Sequence, residues 1–328
     1  MNMALFTSNF NSKRLYISLT TGAIGVLIIA VLNIFIYKLS YPEYKHKYEM
    51  ENFWMNKVKS SKQFDMVFIG DSRCYRGIQP AVFEKELGLT AFNAGLSSGG
   101  HNMEIYNHIS NNILSEPKGG GGTRIIVLSV SPYSMSEEAR SNKHFKSLLK
   151  TSKLTDSKIG SILFQKNIKK RLKRAKKKFI AKEIFHKNGW CQTFEYASEP
   201  LQTDGLNIYN ATYKNTTFSP QSLRDIIEYT KQCIKDNIII FAFTPPTTPA
   251  MKALENEKSG CDMHAVKSAF QKAGGIWLDI ENENVYNAYD SSHLSSEQAI
   301  MLSQYLSRKI KHTLQFLETG TLNHQTNN

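Results

Sequence analysis

Cysteine is scarce in this chain. There are four, Cys74, Cys191, Cys233 and Cys261, and none stands in a C-x-x-C pair. That spacing excludes the common thiolate metal sites and leaves buried or unpaired thiols as the simplest reading, with one disulfide open to a domain outside the cytoplasm. No metal and no cofactor is expected. No internal repeat is present. Acidic residues are outnumbered, with 28 Asp and Glu against 41 Lys and Arg for a formal charge of +13. Residues 166–187 alone carry a net +10, from eleven Lys or Arg and the single acid Glu183, which leaves +3 elsewhere. The basicity is therefore local and does not describe the whole surface. The chain also lacks the composition of a disordered protein, being 41% hydrophobic and 11% aromatic over 328 residues.

Residues 15–37, "LYISLTTGAIGVLIIAVLNIFIY", contain no charge. A helix of about 20 apolar residues crosses the hydrocarbon core of a bilayer, so this run is expected to be an uncleaved transmembrane anchor. A signal peptide is the competing reading, but "KLSYPEYKHKYEM" after the run offers no small-residue cleavage site. Lys13 and Arg14 before the span nearly balance Lys38, Lys45 and Lys47 after it. The expected layout is a cytoplasmic tail over 1–14, the anchor over 15–37, a stalk over 38–63, and a domain on the far, periplasmic side. That domain is expected over 64–312, with an insert at about 134–219 and a disordered tail over 313–328.

Beyond the stalk, short apolar runs alternate with helical patterns. Strands are expected at 66–70, 91–95, 124–130, 237–244 and 275–280. Helices are expected at 79–88, 101–114, 219–236, 261–274 and 294–312, with Pro80 and Pro220 in first turns and Ser219 as an N-cap. Such alternation gives right-handed crossovers and a mainly parallel sheet covered on both faces. Ligands of these sheets bind outside the carboxyl ends of the strands.

Three polar motifs follow strands. Gly70-Asp71-Ser72-Arg73 comes after the first; a G-D-S run also suits an ordinary turn. Asn93-Ala94-Gly95-Leu96-Ser97 comes after the second, where the Gly95 N–H, unobstructed by a side chain, could donate to an oxyanion. Asp290-Ser291-Ser292-His293 comes after the last, and "DSSHLSSE" also suits a helix cap. A hydroxyl needs a base to become a nucleophile, an imidazole is that base near neutral pH, and a carboxylate fixes its tautomer.

Together, GDSR, NAGLS and DSSHLS resemble the first, second and fifth blocks of the SGNH, or GDSL-type, hydrolase superfamily. The resemblance covers about residues 64–311 outside the insert. It implies an α/β fold, a flavodoxin-like three-layer sandwich with a mainly parallel five-stranded sheet, here with one N-terminal transmembrane helix. It implies a nucleophile at Ser72, a base at His293, its carboxylate at Asp290, and an oxyanion hole that includes the Ser72 and Gly95 amides. Asp71, Arg73, Asn93 and Ser131 are the accompanying candidates for substrate binding. The family's G-x-N-D block after strand three is absent; "LSVSPYSMS" (128–136) stands there, with Ser131, Tyr133 or Ser134 as possible stand-ins for its asparagine donor. Membrane-anchored members that modify cell-envelope polysaccharides often lack that block, and "FAFTPPTTPAM" (241–251) is similar to theirs. The implied activity is that of a serine esterase or O-acyltransferase on acyl esters of a cell-surface glycan. The alternative is an inactive scaffold that binds an envelope glycan or a membrane partner.

Arg73 and Arg76 read as solvated loop cations or as contacts to an acidic substrate. Cys74 reads as a packed residue of a first helical turn, with a competing thiol nucleophile as the other choice. In 166–187, Ile168, Leu172, Ala175 and Phe179 form one apolar stripe on a cationic helix. Such a helix suits an anionic membrane surface or an anionic polysaccharide, or it packs by its stripe. Nucleic acid is not expected as a partner of an outward-facing domain.

Overall fold

The structure is a computed structural model that describes residues 24–25, 27–32, 42–60, 62–116, 122–157 and 183–325. Its centre is a five-stranded, all-parallel sheet. The strands are β1 (Met66–Ile69), β2 (Ala91–Asn93), β3 (Arg124–Ser129), β6 (Ile238–Phe243) and β7 (Ile276–Trp277), in the order β2-β1-β3-β6-β7. β4 (Glu183–Phe185) and β5 (Cys191–Thr193) form a separate antiparallel hairpin. The flavodoxin-like order expected from the sequence is present, and the strand order reverses beside β1. Ligands bind at that switch point in open α/β sheets. Ser72 lies three residues past its last strand residue, Ile69.

The apolar strand runs serve two cores at once. Val67, Ile69, Ile126, Leu128, Ile240 and Ala242 join one buried cluster; Met66, Phe68, Ile125, Val127, Phe241 and Phe243 join the other. This alternation is the period-two geometry of a strand buried on both faces. Five helices precede or enter the insert: α1 (Pro42–Asn56), α2 (Ser72–Gly77), α3 (Pro80–Leu87), α4 (Met103–Asn112) and α5 (Glu137–Arg140). Then come α6 (Lys143–Ser157), α7 (Glu199–Tyr213), α8 (Pro220–Lys235), α9 (Pro249–Lys258), α10 (Met263–Lys272) and α11 (Ser296–Gln325). α4, α8 and α10 cover the first face through Ile109, Ile226, Tyr229, Val266 and Phe270; α3 and α11 cover the second through Phe83, Leu302, Leu306 and Ile310. Ser219 caps α8 through the Ser222 N–H, with Pro220 in the first turn, as the sequence suggests.

Several boundaries differ from expectation. The stalk region holds α1, and Phe53 and Val58 at its end are buried in the domain. The closing helix does not stop at 312 but continues to Gln325, with Leu314 packed on the second core. The insert is built of α5, α6, β4, β5 and α7. Of the expected basic helix, residues 166–182 lie outside the described residues; 183–185, with Ile184 and Phe185, form β4 rather than helix. Of the expected anchor, residues 24, 25 and 27–32 are described and helical, and the rest lies outside. Among the described residues no helix is long and apolar enough to cross a membrane. All four cysteines are buried and free.

Leu306 is fully buried between α11, α3 and the sheet. Leu306→Ala is expected to cost roughly 2–5 kcal/mol, the range for a leucine-to-alanine cavity in a packed core. Urea unfolding checks this, and an unchanged midpoint would contradict the assignment of α11 to the core.

Candidate functional site

Ser72 and His293 meet at the rim where the strands end. β1 delivers the turn that carries Ser72, and the loop after β7 delivers His293. His293 Nε2 lies 2.7 Å from Ser72 Oγ, and His293 Nδ1 lies 2.8 Å from Asp290 Oδ2. Asp290 Oδ1 also accepts from the N–H groups of Ser292 at 3.1 Å and His293 at 2.7 Å. Burial works against the Asp290 carboxylate. The His293 hydrogen bond, the His293 charge and the two backbone donors outweigh it and hold Asp290 below its ordinary value. With Nδ1–H donated to Asp290, Nε2 is the acceptor facing the hydroxyl, which is the arrangement a general base requires. Ser72 and His293 are partly exposed, so the pair is reachable from solvent.

The turn before Ser72 is closed from within. Asp71 caps α2 by accepting from the Arg73 N–H at 2.9 Å, and its other oxygen accepts from Ser131 Oγ at 2.5 Å. Asp71 is 1% exposed and Ser131 is fully buried. The expectation that these two touch substrate is corrected: both are structural parts of the turn. Ser134 Oγ donates to Ser131 O, and Tyr133 is buried against Ser98. The Ser131 and Ser134 hydroxyls, two of the possible stand-ins for the third-block donor, are thus bound within the turn.

Arg73 is corrected in the same way. Its guanidinium is buried, bound to both oxygens of Glu255 at 3.2 and 2.7 Å, and its Nε donates to Ser292 Oγ at 2.9 Å. Arg76 is not a solvated cation either, since it bonds Glu183 at 2.6 Å and Thr193 Oγ1 at 2.9 Å. Cys74 is fully buried, and burial pushes its thiol far above the usual range, so it is no rival nucleophile.

Asn93 is fully buried and holds the second loop. Its Nδ2 donates to the carbonyls of Cys74 and Ile78 at 2.8 and 2.9 Å. Clamped so, its Oδ1 accepts the Gly95 N–H at 3.0 Å. The expected substrate contact from Asn93 and the expected oxyanion donor at Gly95 are thus used on each other. Glycine is required at 95 because a Cβ would fall 2.9 Å from both Cys74 Cβ and Tyr75 N. The Ser72 N–H accepts no such claim: among the described residues it has no acceptor, and it stands at the start of α2.

Several residues around the site carry no sequence motif. Lys57, at the end of α1, is fully buried, with Nζ donating to Asn93 O at 2.7 Å and Gly189 O at 2.9 Å. Its ammonium also faces the rings of Phe53, Trp54, Tyr75 and Phe92 at 4.3 to 5.9 Å. Trp190 Nε1 donates to Arg76 O. α7 of the insert lies against the histidine loop: Gln202 Nε2 donates to Ala288 O, and a Cβ at Gly205 would collide with Asp290 O. Only the aromatic density of 53–54 and 185–196 could have hinted at these contacts. Among the described residues no group of three potential metal ligands converges.

No family model and no curated protein matches the chain. Two solved structures resemble it. One, from Desulfitobacterium hafniense DCB-2 and assigned to the G-D-S-L lipolytic family, shares 15% identity, with a TM-score of 0.37 over 74% of this chain and 97% of that one. The other, from Streptococcus pneumonia and assigned as a platelet activating factor, shares 13% identity, with a TM-score of 0.39 over 88% of this chain and 99% of that one. These likenesses are remote, and the site's own geometry carries the functional reading. The strand order is that of a flavodoxin-like sheet, with the Ser72 turn at its switch point.

Burial lowers Lys57 from the ordinary 10.5 to about 7, against the pull of Cys74 and Cys191. Between those pH values the unfolded chain holds a proton the folded chain has lost, so stability rises with pH. The stability of wild type relative to Lys57→Met is therefore expected to increase from pH 7 towards 10.5 in urea unfolding. A flat difference would show that the buried ammonium keeps its proton.

Proposed function

We propose that the protein is a serine esterase or O-acyltransferase that works through a covalent acyl-Ser72. The observation that carries this reading is the chain of contacts from Ser72 Oγ to His293 Nε2 at 2.7 Å and from His293 Nδ1 to Asp290 at 2.8 Å. Ser72 attacks an acyl carbonyl as His293 takes its proton, and a tetrahedral oxyanion forms. The unclaimed Ser72 N–H, at the positive end of α2, supports a role in holding that oxyanion. The imidazolium then protonates the leaving oxygen, and water or a sugar hydroxyl releases the acyl group by the same route in reverse.

The finer reading is ester chemistry on a cell-surface glycan by a membrane-anchored, outward-facing domain, with acetyl as the simplest acyl group. Its support is the charge-free run 15–37, the basic run 166–187 that suits an anionic surface, and the GDSR, NAGLS and DSSHLS motifs. The second reading, a glycan-binding scaffold without catalysis, is favoured by one observation: the Gly95 N–H is bonded to Asn93, and no third-block asparagine is present.

The purified protein is expected to hydrolyse p-nitrophenyl acetate. Ser72→Ala and His293→Ala are each expected to lower kcat by roughly 10³-fold or more, as when any member of such a triad is removed. Wild-type turnover equal to that of Ser72→Ala would overturn catalysis and leave the scaffold.

A further inference from the structure

The proposed reaction leaves two buried charges without a part to play. The Arg73 and Glu255 side chains are 1% and 4% exposed and lie 2.7 Å apart. A buried ion pair adds little net stability, because desolvation consumes most of the Coulomb gain. Stability alone is therefore a poor reason for placing one beside a nucleophile.

The contacts of the pair lead to the histidine loop. Arg73 directly follows Ser72, and its Nε donates to Ser292 Oγ at 2.9 Å. Ser292 directly precedes His293, donates its N–H to Asp290 at 3.1 Å and its hydroxyl to Tyr209 at 2.8 Å. Glu255 holds the other edge of the guanidinium and also accepts from Tyr213 at 2.9 Å. The far side of the loop is fixed by the Thr248 N–H on Ser291 O at 3.1 Å and by Ser291 Oγ on Gln202 O at 3.1 Å. Ser291 itself stands at a φ of 69°, a strained value for a residue with a side chain, which such fixing sustains. One planar group thus joins the nucleophile turn to the base loop by a route independent of the Ser72–His293 hydrogen bond. Arginine suits this because its fork bonds a carboxylate with two nitrogens and leaves Nε for a third partner; lysine offers a point charge.

We propose that Arg73, braced by Glu255, is a positioning residue that sets the Ser72–His293 distance through Ser292 without touching substrate. This rests on the reading of Ser72 as nucleophile. The test uses the full chain in detergent, with two readouts: the rate of Ser72 modification by a fluorophosphonate, and kcat and KM for p-nitrophenyl acetate. Arg73→Lys and Glu255→Gln are expected to lower kcat and the modification rate together, on the order of 100-fold, since a 1 Å misplacement of reacting groups costs about that much. KM is expected to stay within about threefold. Ser292→Ala removes the Nε link and leaves the ion pair, so it serves even where the Arg73 variants do not fold; a drop of about 10-fold in both rates is expected. Tyr229→Phe, which loses a hydroxyl contact to Ser110 in another helix layer, controls for general destabilisation and is expected to keep wild-type rates. Wild-type rates in Arg73→Lys and Ser292→Ala, or a raised KM at constant kcat, would overturn the inference. A wild type modified no faster than Ser72→Ala would instead overturn the nucleophile reading beneath it.

Discussion

The contact between Ser72 Oγ and His293 Nε2 joins residues 221 positions apart, and local structure alone cannot make such a contact. It depends on a parallel sheet in which every strand ends at the same rim, so that the loop after β1 and the loop after β7 share one side of the molecule. β2-β1-β3-β6-β7 places those two strands three positions apart across the sheet. The loop after β7 must therefore travel back over the strand ends to reach Ser72. α9 and α7 support that return path, the first through Thr248 and Glu255, the second through Gln202, Gly205 and Tyr209. The insert is thus a wall of the site as well as an addition to the fold.

Inside the turn, polar groups are used on one another. Asp71, Ser131, Asn93 and Arg73 were natural candidates for ligand contacts because they flank the motifs, yet all are buried and satisfied by protein partners. An unsatisfied buried polar group costs about 1–3 kcal/mol, so these pairings stiffen the frame on which Ser72 and His293 sit. For the proposed chemistry the consequence is one oxyanion donor fewer. The Gly95 N–H is held by an asparagine that two carbonyls fix in place, which leaves the Ser72 N–H as the remaining donor for the proposed mechanism. Each donor of this kind is worth roughly 10²–10³ in rate, so slow turnover is compatible with an intact Ser-His-Asp geometry.

The strands and the layer order were legible because "MVFI", "RIIVLS" and "IIIFAF" are apolar on both faces and bounded by turn residues. The Ser72 turn was legible because it follows such a run, and the Gly95 and His293 loops because their motifs follow the shorter strands β2 and β7. The partners were not. Glu255 lies in the polar helix PAMKALENEK, where nothing local distinguishes it from Glu257, and its meeting with Arg73 spans 182 positions. Lys57 reads as one more lysine of a polar stalk until aromatic residues from three segments enclose it. The stripe in the basic run suggested helix up to 187, but the β-branched and aromatic residues of "EIF" pair with Cys191–Thr193. The closing helix was cut short at 312, although "TLQFL" (313–317) carries its apolar pattern on and Leu314 finds the core.

The most direct test of the central claim is to look for the covalent intermediate. The protein is mixed with an activated acetyl ester, quenched in acid within milliseconds to seconds, and digested for peptide mass mapping. An acetyl group on the peptide containing Ser72, absent from Ser72→Ala and persisting longer in His293→Ala once formed, is the predicted result. Acetylation confined to surface lysines, identical in wild type and Ser72→Ala, would contradict the account.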